Sequence, residues 1–99
     1  MKDIVGKKDF EEFITKNDKV LIDFWAPWCG PCKMLMNVIN QFDNEIPIGK
    51  INIDDSENEE IVHDHKVSSI PFLQLYVNGK RFNQHVGMAS KEQIKKFID

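Results

Sequence analysis

The chain contains two cysteines, Cys29 and Cys32, separated only by Gly30 and Pro31. A disulfide between them closes a very short loop and removes little entropy from the unfolded chain, so bracing the fold is a poor explanation for the pair. Reversible thiol chemistry is the better one. That chemistry needs a thiolate, and a cysteine at the start of a helix lies beside unpaired N–H groups and the positive end of the helix dipole. Met34, Leu35, Val38, Ile39 and Phe42 recur at helical intervals just after the pair, which places Cys29 at a helix start. Cys32 then follows about one turn later, within reach of its partner. The spacing assigns attack on a disulfide to Cys29 and resolution of the mixed disulfide to Cys32.

Asp23 is the second residue whose type does not fit its surroundings. It interrupts the run Val20, Leu21, Ile22, Phe24, Trp25, where a buried carboxylate is disfavoured unless it is paired or functional. Burial is expected to raise its pKa. Other polar clusters are read as structural. His63 and His65 could complete a zinc site with the cysteines, but two residues apart on a helix they point to different faces. No second C-x-x-C accompanies them, so no metal is assigned, and His63, His65 and His85 are read as solvated. The acidic run Asp54, Asp55, Glu57, Glu59, Glu60 lacks the glycine and spacing of an EF-hand and reads as a solvated helix start. Trp28, in the turn beside Cys29, reads as a surface aromatic, whereas Trp25 reads as core. Met34 and Met36 serve as packing, and Met88 is a contact candidate.

The elements that must position these groups follow from periodicity. Phe10, Phe13 and Ile14 predict a first helix over Lys7 to Lys16, with Ile4 and Val5 as a brief strand before it. The run Val20 to Trp25 is too continuous for a one-sided strand and reads as a central strand covered on both faces. Pro27 and Gly30-Pro31 end it in a turn that feeds the second helix. Ile48, Ile51 and Ile53 form a strand ending at Asp54-Asp55, and Ser56 with Glu59 has the form of a capping box opening a third helix. Phe72 to Val77 and Arg81 to Val86 flank Asn78-Gly79, the signature of a two-residue type I′ hairpin turn. Ser90 and Gln93 form a second capping box ahead of Ile94, Phe97 and Ile98. The order β-α-β-α-β-α-β-β-α predicts an α/β fold with a mixed five-stranded sheet flanked by four helices. The reactive site falls at the β-α junction.

Composition narrows the function further. The chain has 99 residues, 41% hydrophobic and 29% charged, which suits one globular domain spanning 1–99. Its net charge is -3 and its basic residues are scattered among acidic ones, which disfavours nucleic acid as a partner. The longest apolar stretch is far too short to span a membrane. No apolar targeting segment follows Met1, so a cytoplasmic location is expected.

In this context the segment Trp25-Ala26-Pro27-Trp28-Cys29-Gly30-Pro31-Cys32-Lys33 resembles the active-site signature of the thioredoxin family. Asp23, Ile70-Pro71, Asn78-Gly79 and Val86-Gly87 fall at the family's intervals, and the resemblance covers nearly the whole chain. It implies a thioredoxin fold and a reductase of protein disulfides with no bound cofactor, acting as a monomer. Its redox-active Cys29–Cys32 disulfide would be reset by a thioredoxin reductase drawing on NADPH. It implies that Cys29 is the exposed nucleophile, that Cys32 is more buried, and that Pro71 follows a cis peptide bond. Such a bond leaves the Ile70 backbone free to pair with an extended substrate and keeps metals off the thiols. Trp28, Ile70, Pro71, Gly87 and Met88 would line the substrate groove. Asp23 would accept the proton of Cys32 through water, with Lys50 on the adjacent strand as its modulating charge. Gly30, Pro31 and Lys33 would support and tune the pair, and Gly30-Pro31 resembles the reducing rather than the oxidising members.

Two residues depart from the family pattern. Asn37 replaces a proline that commonly kinks the second helix, and Phe72 replaces the usual Thr after the cis-proline, where it is expected to narrow or grease the groove. Two rival functions are a redox-silent binding module on the same fold and a glutaredoxin-like or isomerase-like exchange activity.

Overall fold

A computed structural model describes all of residues 1–99. Nine elements follow in the expected order: β1 (Lys2–Asp3), α1 (Lys7–Lys16), β2 (Lys19–Trp25), α2 (Gly30–Ile39), β3 (Ile48–Asn52), α3 (Glu59–Asp64), β4 (Phe72–Val77), β5 (Lys80–Val86) and α4 (Lys91–Ile98). The strands form one mixed sheet in the order β1-β3-β2-β4-β5. β3 runs parallel to β1 and β2, and β4 runs antiparallel to β2 and β5.

β2 lies at the centre, and Val20 through Phe24 are all without solvent exposure. Successive side chains point to opposite faces, so one strand feeds two cores. Leu21 joins Leu35, Ile39, Leu73, Leu75, Ile94 and Ile98 on the face covered by α2 and α4. Val20, Ile22 and Phe24 join Ile4, Phe10, Ile14 and Ile61 on the face covered by α1 and α3. Full burial of each of these large side chains contributes about 1.5–3 kcal/mol. Gly49 on β3 lets α1 close down on the sheet, because a Cβ there would collide with Ile4 and lie 2.9 Å from the Phe13 ring.

The hairpin is the predicted one, with φ of 52° at Asn78 and 78° at Gly79, the positive pair that a type I′ turn requires. A register shift between Leu75 and Tyr76 leaves Phe82 bulged out, 72% exposed. The Ser90 box forms in both directions, with Gln93 N–H donating to Ser90 Oγ at 3.1 Å and Ser90 N–H to Gln93 Oε1 at 2.8 Å. Such a cap stabilises a helix by about 1 kcal/mol.

Several local expectations are corrected. The first strand is Lys2–Asp3 rather than Ile4-Val5, because parallel pairing with Gly49 and Lys50 sets its register and Ile4 turns into the core. Ser56 and Glu59 form no capping box. Asp55 takes the cap, accepting Glu57 N–H at 3.0 Å over a short 3-10 turn, and α3 starts only at Glu59. Phe72 does not pack against the cysteines but turns into the α1/α3 core, stacked on Phe24 with ring centroids 5.6 Å apart. His65 is half-buried rather than solvated: it packs edge-on against Phe10, and its Nδ1 lies 3.1 Å from Gln74 Oε1. No helix is long and apolar enough to cross a membrane.

Candidate functional site

The strand β2 stops at Trp25 because Pro27 cannot extend it, and the chain turns tightly, Cys29 N–H donating to Ala26 C=O at 3.1 Å. Cys29 then takes the extended backbone of an N-cap, and Gly30 and Pro31 open α2. A proline in the first turn costs nothing there, since its missing N–H would be unpaired anyway. Cys29 Sγ accepts the Cys32 N–H at 3.2 Å, so the sulfur itself caps the helix. The two cysteines are joined as a disulfide with Cα atoms 5.3 Å apart.

Burial separates the two sulfurs less than the resemblance implies. In this oxidised state Cys29 is 5% exposed and Cys32 not at all, so Cys29 is a nearly buried group rather than an exposed one. Both cysteines pack with Ala26, and Trp25, Ile53 and Ile70 close around them. Gly30, Pro31 and Lys33 stand on the surface beyond them.

Around the pair, the Ile70–Pro71 bond is cis. Neither the N–H nor the C=O of Ile70 is hydrogen-bonded within the chain. Gly87, at φ 94°, donates its N–H to Pro71 C=O at 2.8 Å and so joins the Ile70–Pro71 and Gly87–Met88 segments. Met88 is 43% exposed, and its C=O accepts from His85 Nε2 at 2.9 Å. Trp28 is 67% exposed and is held by its indole N–H, which donates to Asp54 at 2.6 Å. Asp54 was missed in the sequence because an acid in an acidic run carries no mark of its partner.

Asp23 shares the α2 side of the sheet with Leu21 and, across the strands, Leu73. It has no solvent exposure, and neither carboxylate oxygen has a hydrogen-bond partner. Burial pushes its pKa up to about 7 against the opposing charge of Lys50. A group that titrates there can take or give a proton at neutral pH. Lys50 is its in-register neighbour on β3, and Asp3 is in turn the neighbour of Lys50 on β1. One rung of the sheet therefore reads Asp3, Lys50, Asp23. The Lys50 ammonium lies 3.3 Å from Asp3 and 5.6 Å above the Trp25 ring, so it bonds the exposed carboxylate rather than the buried one. The exposed Asp3 was likewise invisible without the strand register.

No group of three or more His, Cys, Asp or Glu is arranged to hold a metal ion. What the arrangement offers is a disulfide at a helix tip, unpaired backbone beside it and a buried, protonatable acid on the strand that leads into it: the equipment of a dithiol–disulfide oxidoreductase on an α/β scaffold. Comparison with known proteins agrees. The Thioredoxin family profile matches residues 2–99, and the chain belongs to the thioredoxin family. It is 40% identical to the thioredoxin of Chlamydia pneumoniae over 97% of this chain and 94% of that one. It is 42% identical to the thioredoxin of Chlorobaculum thiosulfatiphilum over 93% and 88% of the two chains. A thioredoxin variant from Halobacterium salinarum superposes with a TM-score of 0.90 at 30% identity, covering 98% of this chain and 86% of that one. Dithiol–disulfide exchange through the redox-active Cys29–Cys32 disulfide is the activity of this family, and its members need no bound cofactor.

Proposed function

We propose that residues 1–99 work as one thioredoxin domain that reduces protein disulfides, with Cys29 as the attacking sulfur and Cys32 as the resolving one. In the reduced protein the Cys29 thiolate attacks one sulfur of a substrate disulfide and expels the other as a thiolate. The Cys32 thiol then passes its proton through a bridging water to the Asp23 carboxylate and attacks Cys29 Sγ. The second substrate thiolate leaves, and two electrons have passed to the substrate while Cys29–Cys32 re-forms. The observation that carries this reading is the position of Cys29 Sγ at the N-cap of α2, 3.2 Å from the Cys32 N–H. Backbone N–H groups and the helix dipole favour the thiolate there.

The surrounding residues take supporting roles in the same reading. The unbonded Ile70 backbone pairs with an extended substrate, and Trp28, Pro71, Gly87 and Met88 form the walls of the groove. Gly30, Pro31 and Lys33 shape the turn around the sulfurs, and Lys50 sets the charge beside Asp23. A thioredoxin reductase returns the disulfide to the dithiol with electrons from NADPH. The protein serves as a cytoplasmic monomer, and its substrates are disulfide-bearing proteins.

Trapping tests the assignment. Cys32→Ser protein, reduced and offered insulin, should accumulate a mixed disulfide through Cys29 that ordinary thiol reductant releases. A mixed disulfide that forms with Cys29→Ser instead, through Cys32, would reverse the roles of the two sulfurs.

A further inference from the structure

Beside the loop that carries Ile70 lies a cavity of about 310 Å³ lined by His65, Lys66, Ser68, Ser69, Arg81 and Gln84, with Val67, Phe72 and Val86 as its apolar part. Every polar residue in its wall can donate a hydrogen bond, and none is a carboxylate. That is unusual for a chain with 16 acidic residues against 13 basic ones. Arg81 is the chain's sole arginine and takes part in no ion pair. Lys66, like most of the lysines, is also without an acidic partner among those pairs. His65 engages its Nδ1 with Gln74 and Tyr76, which leaves Nε2 as its remaining ring nitrogen.

Two walls of the cavity continue along the chain into the groove. Ser68 and Ser69 run directly into Ile70–Pro71, and Val86 runs into Gly87–Met88, the two segments joined by the Gly87-to-Pro71 hydrogen bond. A guanidinium is a planar fork suited to a carboxylate, and two unpaired cations with two hydroxyls make a complementary surround for one.

We propose that this cavity is a substrate-selecting subsite that takes an acidic side chain of the disulfide-bearing protein bound along Ile70. The inference rests on the reading that substrate lies in the groove formed by Ile70, Pro71, Gly87 and Met88. Arg81 and Lys66 act here as specificity residues: they touch the substrate away from the reacting sulfurs and leave the exchange step itself unchanged. Preference then comes from binding, so it enters through KM rather than kcat.

The test uses the whole protein and disulfide peptides that differ only in one Glu moved along the positions flanking the cystine, each with a Gln counterpart. One Glu position should raise kcat/KM about tenfold over its Gln counterpart, a typical gain for a charge-assisted pair. Arg81→Ala should erase that preference, and Arg81→Lys should restore only part of it because the fork is lost. Both substitutions fall at an exposed position, and hydroxyethyl disulfide, which is uncharged, should be reduced at the parental rate by every variant. Inorganic phosphate should inhibit the favoured Glu peptide competitively and leave its Gln counterpart unaffected. A Glu series no better than the Gln series, with hydroxyethyl disulfide still reduced, overturns the subsite while leaving the exchange mechanism intact. Loss of hydroxyethyl disulfide reduction in the parent would instead overturn the mechanism. Phosphate that perturbs the Arg81 side-chain NMR signal while the Glu series stays flat would make the cavity a site for free anions, and the proposed occupant would be wrong.

Discussion

Asp23 and Gln74 lie on adjacent strands one rung apart, both without solvent exposure, and the chain treats them in opposite ways. Gln74 faces the α1/α3 side, where its Oε1 accepts from the Tyr76 hydroxyl at 2.9 Å and lies 3.1 Å from His65 Nδ1, while its Nε2 has no partner. Phe10 packs edge-on against both His65 and Tyr76. Asp23 faces the α2 side with both oxygens unpaired, and the nearest cation is drawn off to Asp3. A polar group that is buried and bonded fixes a unique packing, whereas one that is buried, unbonded and titratable is poised to change state. Burial alone does not separate the two; the bonded oxygen of Gln74 and the ability of Asp23 alone to titrate do.

The sharpest way to break the comparison is to remove the charge at Asp23. Its carboxyl titrates at about 7 in the fold against an ordinary 3.8, so the folded chain holds the proton more tightly than the unfolded one. The stability this gives is fully present below about pH 3.8 and is lost as the pH rises through 7. Asp23→Asn should therefore be more stable than the parent at alkaline pH by up to about 4 kcal/mol, with no such advantage in acid, as read by urea unfolding at both ends. The same variant should slow resolution by Cys32 at neutral pH in single-turnover experiments.

The counterpart on the other face is Gln74→Ala, which leaves Tyr76 and His65 short of an acceptor and opens a cavity. It should cost about 2–3 kcal/mol in chemical denaturation while reduction of a small disulfide keeps its rate. Tyr76→Phe removes one hydroxyl donor and should cost about 1 kcal/mol. This face also answers pH in the opposite sense. Burial lowers the His65 pKa from 6.5, so the stability of the neutral ring is present above that value and is lost as the pH falls below it. His65→Gln should flatten the acid arm of the stability curve and leave the alkaline arm alone.

The smallest effect is expected at Asp3. Asp3→Asn frees the Lys50 ammonium from its 3.3 Å partner, and the Asp23 titration followed by carboxyl NMR should move down by about half a unit. In a Lys50→Met background the same substitution should move nothing, because its influence runs through Lys50.

Much of this was legible in the residues. The bounds of α1, the hairpin at Asn78-Gly79 and the box at Ser90 and Gln93 rest on local chemistry, and the structure has them where the sequence placed them. The cysteine pair and Asp23 stood out because each clashes with its neighbours in type. What escaped was set by partners distant in sequence. Lys2–Asp3 forms the edge strand through the register of β3, and Phe72 joins the α1/α3 core because β4 alternation points it at Phe24. His65 reads as a polar residue on a polar helix until Gln74 and Phe10 arrive beside it. Trp28 gives no sign that Asp54 will hold it.

Because the cap of α2 is the sulfur of Cys29 itself, the first turn of that helix is fastened by an atom whose bonding changes in every cycle. A neutral divalent sulfur is a weak acceptor, and a thiolate is a strong one. Electron loading should tighten the front of the helix, and discharge should slacken it. Amide hydrogen exchange at Cys32 would then report the oxidation level of the protein directly, with the backbone serving as the gauge of its own cargo.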